Sequence, residues 1–187
     1  MDLQSYIGIY KKIVPEETCK NLVQDSSNFA WRKFEWTSQS QQKITYSNEY
    51  SDQVDTCEKL IPKYKFLLNP IIENCVNDYK IRYAPELNNI MGVSEIKLNK
   101  YQEGSSLRKH VDHIHSLFDG HRKGIPTFSI VGLLNDDFEG GNFIFWDDHI
   151  IPFETGTIII FPSNFLYPHR VDTILKGTRH SFVSWVW

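Results

Sequence analysis

From Val93 to the end, the chain breaks into short runs rich in β-branched and aromatic residues. Turn signals separate them at fairly even spacing. The runs are Ser94–Tyr101, Lys109–Ile114, Thr127–Leu134, Asn142–Trp146, Thr157–Phe161, Pro168–Val171 and Arg179–Trp187. Gly104, Asn135-Asp136, Gly140-Gly141, Thr155-Gly156 and Lys176-Gly177 punctuate them. Such a pattern predicts many short antiparallel strands, hence a sandwich or jelly roll. With helices before it, the fold class is α+β, mostly β.

The first 90 residues read as helical support for that sheet. Pro15-Glu16-Glu17 suits the first turn of a helix, with proline at its first position and acids at the positive end of the dipole. Leu22 and Val23 would face a core from it. Between Val54 and Tyr79, Leu68, Ile71, Ile72, Cys75 and Tyr79 fall at helical spacing. Pro62 and Pro70 interrupt that stretch, and Asn69-Pro70 resembles a cap followed by a first turn. Two helical pieces or one kinked helix are expected. Trp31–Tyr50 is polar and aromatic and has room for one or two strands. All 187 residues fit one domain, residues 1–90 as support and 91–187 as the core.

Charge limits the partners. There are 20 basic and 23 acidic residues, a net charge of −3. Residues 1–90 carry 11 basic against 12 acidic side chains, and residues 91–187 carry 9 against 11. Neither half is a basic arm, so nucleic-acid binding driven by bulk charge is not expected. No apolar run is long enough to cross a membrane, and the acid at Asp2 does not suit a secretory leader. Cys19, Cys57 and Cys75 form no CxxC pair, so no thiolate zinc site is expected, and they read as small buried hydrophobes. A cytoplasmic, reducing location is the resulting expectation.

Chemistry concentrates in the second half. All seven histidines lie between His110 and His180. His110-Val111-Asp112 places an imidazole and a carboxylate two residues apart. On a strand, these would share a face and could bind one metal. His169 follows near the start of a later strand, and Arg179 lies ten residues beyond it. Two histidines and one carboxylate form the facial triad suited to Fe(II). The planar fork of an arginine matches the carboxylate of a co-substrate.

These residues carry a resemblance. Tyr101-x-x-Gly104 leads into His110-x-Asp112, then come Leu134-Asn135-Asp136 and Glu139-Gly140-Gly141-x-x-x-Phe145. Gly156–Pro162, His169-Arg170-Val171 and Gly177-x-Arg179-x-Ser181-x-x-x-Trp185 follow in order. Residues 93–187 thus resemble the prolyl-4-hydroxylase-like branch of the Fe(II)/2-oxoglutarate-dependent dioxygenases. The resemblance implies a double-stranded β-helix, the cupin-like jelly roll. It implies Fe(II) on His110, Asp112 and His169, with 2-oxoglutarate and O₂ as co-substrates and ascorbate as a reductant. Arg179 would pair with the distal carboxylate of 2-oxoglutarate. Tyr101 would hydrogen-bond the co-substrate, and Trp185 would wall the pocket. Related oxygen-sensing prolyl hydroxylases often carry a tyrosine just before the Leu-Asn turn. Here that position is Leu133, and Ser129 on the same face is a candidate replacement.

The implied reaction is hydroxylation of a C–H bond with release of succinate and CO₂. A prolyl residue of a peptide or protein is the first expectation. Read as an end, Trp187 leaves no following helix to shape a peptide groove, which keeps a free amino acid or other small molecule open. An alkylated nucleic-acid base is a further alternative, but that branch has a second arginine six residues after the first, where this chain has Trp185. A non-catalytic cupin-like metal- or ligand-binding module is the alternative from another class; the arginine clamp argues against it. The oligomeric state is left open.

Remaining groups have bland readings. His113 and His115 oppose His110 in parity, His121 and His149 fall in polar loops, and His180 points away from Arg179. Arg108, Lys109, Arg122 and Lys123 suit a solvated face or the attraction of an anionic substrate. The polar stretch 114–125 could act as a lid.

Overall fold

The computed structural model describes residues 2–34, 36–37, 43–44, 54–57, 60, 62–88, 92–112 and 125–187. A 3-10 turn at Leu3–Tyr6 leads into β1 (Gly8–Tyr10) and α1 (Glu16–Asp25). Then come β2 (Arg32–Lys33), β3 (Trp36–Thr37), β4 (Lys43–Ile44), β5 (Val54–Cys57) and α2 (Pro62–Tyr83). The second half holds β6 (Lys97–Tyr101), β7 (Leu107–His110), β8 (Phe128–Leu133), β9 (Glu139–Gly140), β10 (Phe143–Phe145) and β11 (His149–Ile150). It closes with β12 (Ile158–Pro162), β13 (His169–Val171), β14 (Ile174–Lys176) and β15 (Arg179–Val186).

Two antiparallel sheets make the frame. The larger has seven strands in the order β1-β12-β8-β15-β6-β5-β2, and the smaller four in the order β11-β10-β13-β7. This is the mostly β double-stranded β-helix that the resemblance implies. The central strands are buried on both faces, β8 along its whole length, and read accordingly as apolar runs rather than strict alternation.

Each face of the large sheet serves a different core. Leu98, Ile158, Ile160, Phe182 and Val186 pack with Cys19 and Leu22 of α1 and Tyr64, Leu68, Ile72 and Tyr79 of α2. The opposite face turns Tyr101, Val131, Ile159 and Phe161 toward Phe143, Phe145 and Val171 of the smaller sheet. The functional side chains project into this second core. Cys19, Cys57 and Cys75 are free and buried as expected, and burial raises the thiols of Cys19 and Cys75 to about 11.

Two sequence expectations change, and the choice between two helical pieces and one helix is decided. Val54–Cys57 is a strand paired with β6, not the start of a helix, because the sheet edge offers it a full ladder. Helix α2 runs unbroken from Pro62 through Pro70, with Pro70 on its exposed side. Residues 1–90 are not only helical: β1, β2 and β5 extend the same sheet that carries the second half.

Candidate metal and co-substrate site

Strand pairing delivers the first two ligand candidates. His110 ends β7 and lies directly opposite His169 on β13. The two rings sit 4.4 Å apart, centroid to centroid. Asp112 lies two residues on, past the end of the strand rather than within it. The chain nevertheless returns its carboxylate to the imidazoles. Asp112 Oδ1 is 3.5 Å from His110 Nε2 and 3.9 Å from His169 Nε2. One donor atom from each of the three lies within 4.8 Å of the others.

Both rings are held in the tautomer a metal needs. His110 Nδ1 lies 2.9 Å from the Arg108 carbonyl and His169 Nδ1 3.1 Å from that of Tyr167. A carbonyl only accepts, so each Nδ1 donates and each Nε2 keeps its lone pair for the centre. Stacking on Phe143 and an edge contact with Phe161 fix the His169 ring further. Burial, then the neighbouring His110, pushes His169 down to about 4, so it is neutral near pH 7. Burial alone would raise Asp112; the neighbouring His169, then His110 and Ser129, outweigh it and hold the carboxylate well below its usual range. Two imidazole Nε2 lone pairs and one carboxylate, converging inward, fit a divalent iron.

The anion-binding end lies elsewhere in the same interior. Arg179 opens β15 and is 1% exposed. Its Nη1 donates to Ser181 Oγ at 2.9 Å, while Nε and Nη2 have no hydrogen-bond partner among the described residues. A buried guanidinium with idle donors is costly unless an anion completes it. Tyr101 lies opposite Arg179 in the β6–β15 ladder, its ring centroid 5.1 Å from the guanidinium carbon. A cavity of about 300 Å³ reaches Arg179, lined also by Leu133, Gly141, Phe143 and Phe153. That volume sits at the small end of ligand pockets. Gly141, at φ +63°, leaves room there: a Cβ would lie 2.4 Å from Ile174 Cδ1 and 3.2 Å from Arg179 Cδ.

The chain matches the family model of the 2OG-Fe(II) oxygenase superfamily over residues 96–187. Residues 96–187 are thus similar to the 2OG-Fe(II) oxygenase superfamily. The superfamily works with Fe(II), 2-oxoglutarate and O₂. A PKHD-type hydroxylase of Idiomarina loihiensis is 33% identical over 97 residues, which is 50% of this chain and 42% of that protein. One from Psychrobacter sp. is 33% identical over 92 residues, 46% of this chain and 35% of that one. The chain thus spans less than half the length of these relatives. Its fold is similar to the viral collagen prolyl hydroxylase of Paramecium Bursaria Chlorella virus-1, with a TM-score of 0.69 at 12% identity over 97% of this chain and 94% of that one. A Pseudomonas putida prolyl-4-hydroxylase gives a TM-score of 0.66 at 14% identity, over 96% and 91% of the two chains.

Within this oxygenase frame the expected residues fall into two groups. His110, Asp112 and His169 come together, and so do Arg179 and Tyr101. Ser129 joins the first group, not the second. It lies opposite Trp185 on β15, six residues from Arg179, about 20 Å at the rise of a strand. Ser129 is therefore a neighbour of Asp112 rather than a replacement for the missing tyrosine, while Leu133 lines the Arg179 cavity as a plain apolar wall. Trp185 is half-buried opposite Ser129, and its Nε1 has no partner among the described residues. Sequence reasoning missed Ser163 and Phe153, which no spacing rule marks out.

Among the remaining histidines, His180 is buried at the helix side, beside Trp31. His149 pairs within β11 instead of lying in a loop. His113, His115, His121, Arg122, Lys123 and nearly all of the 114–125 stretch lie outside the described residues. Lys109 forms an exposed ion pair with Asp147, as a solvated face would. No helix among the described residues is long and apolar enough to cross a membrane.

Proposed function

We propose that this chain is an Fe(II)- and 2-oxoglutarate-dependent hydroxylase whose substrate is a prolyl residue of a peptide or protein. The observation that supports it most is the convergence of His110 Nε2, His169 Nε2 and Asp112 Oδ1 in the same interior as a buried arginine with idle donors. His110, Asp112 and His169 would hold the iron. Arg179 would pair with the distal carboxylate of 2-oxoglutarate, with Tyr101 beside it and Trp185 walling the substrate side. When bound, iron with 2-oxoglutarate and O₂ supplies the oxidising power that puts one oxygen atom into a C–H bond, and 2-oxoglutarate leaves as succinate and CO₂. The protein's part is to aim two imidazole lone pairs and one carboxylate at a common point and to pair the co-substrate anion with a buried guanidinium.

Structures with this fold support the prolyl choice. One is a Trichoplax adhaerens prolyl hydroxylase in complex with a peptide fragment, with a TM-score of 0.69 at 14% identity over 97% of this chain and 83% of that one. The test is succinate release in the presence of proline-containing peptides, free proline and other free amino acids. Peptide-dependent release with hydroxyproline formed supports the reading. Release only with a free amino acid moves the substrate to the small-molecule class. No 2-oxoglutarate turnover with any of them leaves a metal-binding module.

A further inference from the structure

The cavity of about 300 Å³ at Arg179 is open to solvent on a side away from the metal ligands. Arg179, at its inner end, is 1% exposed. Asp136, Asn142, Ile150 and Pro152 line its outer end, and all four are exposed, Ile150 by 53%. The mouth therefore lies between the turn after β8 and the ends of the β10–β11 hairpin. None of His110, Asp112 and His169 lines this cavity. Phe143 is the wall between the two: it lines the cavity and stacks on His169, ring centroids 5.1 Å apart.

The walls keep the passage clear and give it a destination. Gly140 and Gly141 carry no side chain, and a Cβ on Gly141 would stand 3.2 Å from Arg179 Cδ. Leu133 adds an apolar side, and Phe153 flanks the guanidinium, its ring centroid 5.8 Å from the guanidinium carbon. At the inner end, Nε and Nη2 of Arg179 have no hydrogen-bond partner among the described residues. A buried cation with unused donors draws an anion, and a planar guanidinium suits a carboxylate.

We propose that this cavity is a second mouth, through which a small dicarboxylate reaches Arg179 from solvent without passing the metal. The inference rests on the reading of Arg179 as the clamp for the distal carboxylate of 2-oxoglutarate. The volume suits a small diacid and is too little for a peptide. Substrate and co-substrate then use different sides of Phe143, and succinate can leave while the metal side is covered. Asp136 stands at the rim, its Oδ2 accepting from the Thr155 N–H at 3.1 Å. Its charge slows an incoming dianion.

A removable plug tests the route. Cys19, Cys57 and Cys75 are buried, so a bulky aromatic disulfide reagent takes the new thiol of Ile150→Cys. The readout is the growth of the iron–keto acid charge-transfer band when 2-oxoglutarate is mixed with the anaerobic Fe(II) protein. The attached group is expected to slow association roughly tenfold or more, and a reductant that removes it to restore the rate. The same group on Phe66→Cys, 81% exposed on α2, is expected to change nothing. Asp136→Asn keeps an acceptor for Thr155 and is expected to speed association at low salt and not at high salt. An unchanged rate in labelled Ile150→Cys would overturn the proposal, and so would a slowing that the reductant does not reverse. If unlabelled protein shows no band, the oxygenase reading fails, and the metal-free protein still decides the route. There, slower exchange of ¹³C-labelled succinate after labelling, read from nuclear magnetic resonance line widths, supports the mouth; unchanged exchange overturns it.

Discussion

Arg179 and His180 are neighbours in sequence with opposite fates. Arg179 points into the interior between the sheets with two idle nitrogens. Removing its charge-assisted bonds to a carboxylate should cost about 1.5–3 kcal/mol, or roughly 10- to 100-fold in the 2-oxoglutarate requirement. Arg179→Ala is therefore expected to raise that requirement while leaving metal uptake near wild type. An unchanged requirement in steady-state succinate assays would place the clamp elsewhere. His180 points to the helix side, where burial, then Lys100, pushes it down to about 4. Its pKa falls on folding, so between about 6.5 and 4 the unfolded chain binds the extra proton. Stability from this residue is then complete above about 6.5 and drains away as pH falls toward 4. The loss could reach a few kcal/mol. His180→Gln is expected to flatten the fall of the thermal midpoint across that window. An unchanged slope would show that His180 does not drive it.

The candidates His110, Asp112, His169 and Arg179 were legible from their residue types, order and spacing, whereas the pairing of His110 opposite His169 was not, and Asp112 reaches the site from beyond β7 rather than from a shared strand face. The place of Ser129 was not legible either. Parity put it on the correct face, but how far along the sheet it lies depends on the β8–β15 register, and no local spacing states that register.

At the scale of elements, three long second-half strands follow their sequence signals closely, while β7 ends at His110, short of the expected Lys109–Ile114 run. β8, β12 and β15 fall within one residue of the expected runs, since β-branched stretches between glycine turns leave few alternatives. Val54–Cys57 misleads because Val54 and Cys57 are spaced three apart, as on a helix. Pairing with β6 overrides that local cue. Pro70 misleads in the other direction. It removes one helical hydrogen bond in α2, yet burial of Leu68, Ile72, Cys75 and Tyr79 on either side keeps the helix whole. Pro70→Ala is expected to restore the bond and stabilise the protein by up to about 3 kcal/mol. Urea unfolding measures this, and a lower midpoint in the variant would show that the proline fits a bend the helix needs.

The whole molecule joins two halves through one sheet. β1 pairs with β12, and β5 pairs with β6, so strands from the first half close both flanks of the second. Unfolding should accordingly be one transition, with far-ultraviolet circular dichroism and tryptophan fluorescence falling together; two separated transitions would contradict it. The same frame holds the triad and Arg179 in one interior, so iron and 2-oxoglutarate are expected to meet there. The direct test is to add Fe(II) and then 2-oxoglutarate to the metal-free protein without oxygen. The site predicts the weak visible charge-transfer band of a keto acid chelated to iron, absent in Asp112→Ala and needing more 2-oxoglutarate in Arg179→Ala. Iron uptake with no band at any 2-oxoglutarate concentration would contradict the oxygenase reading.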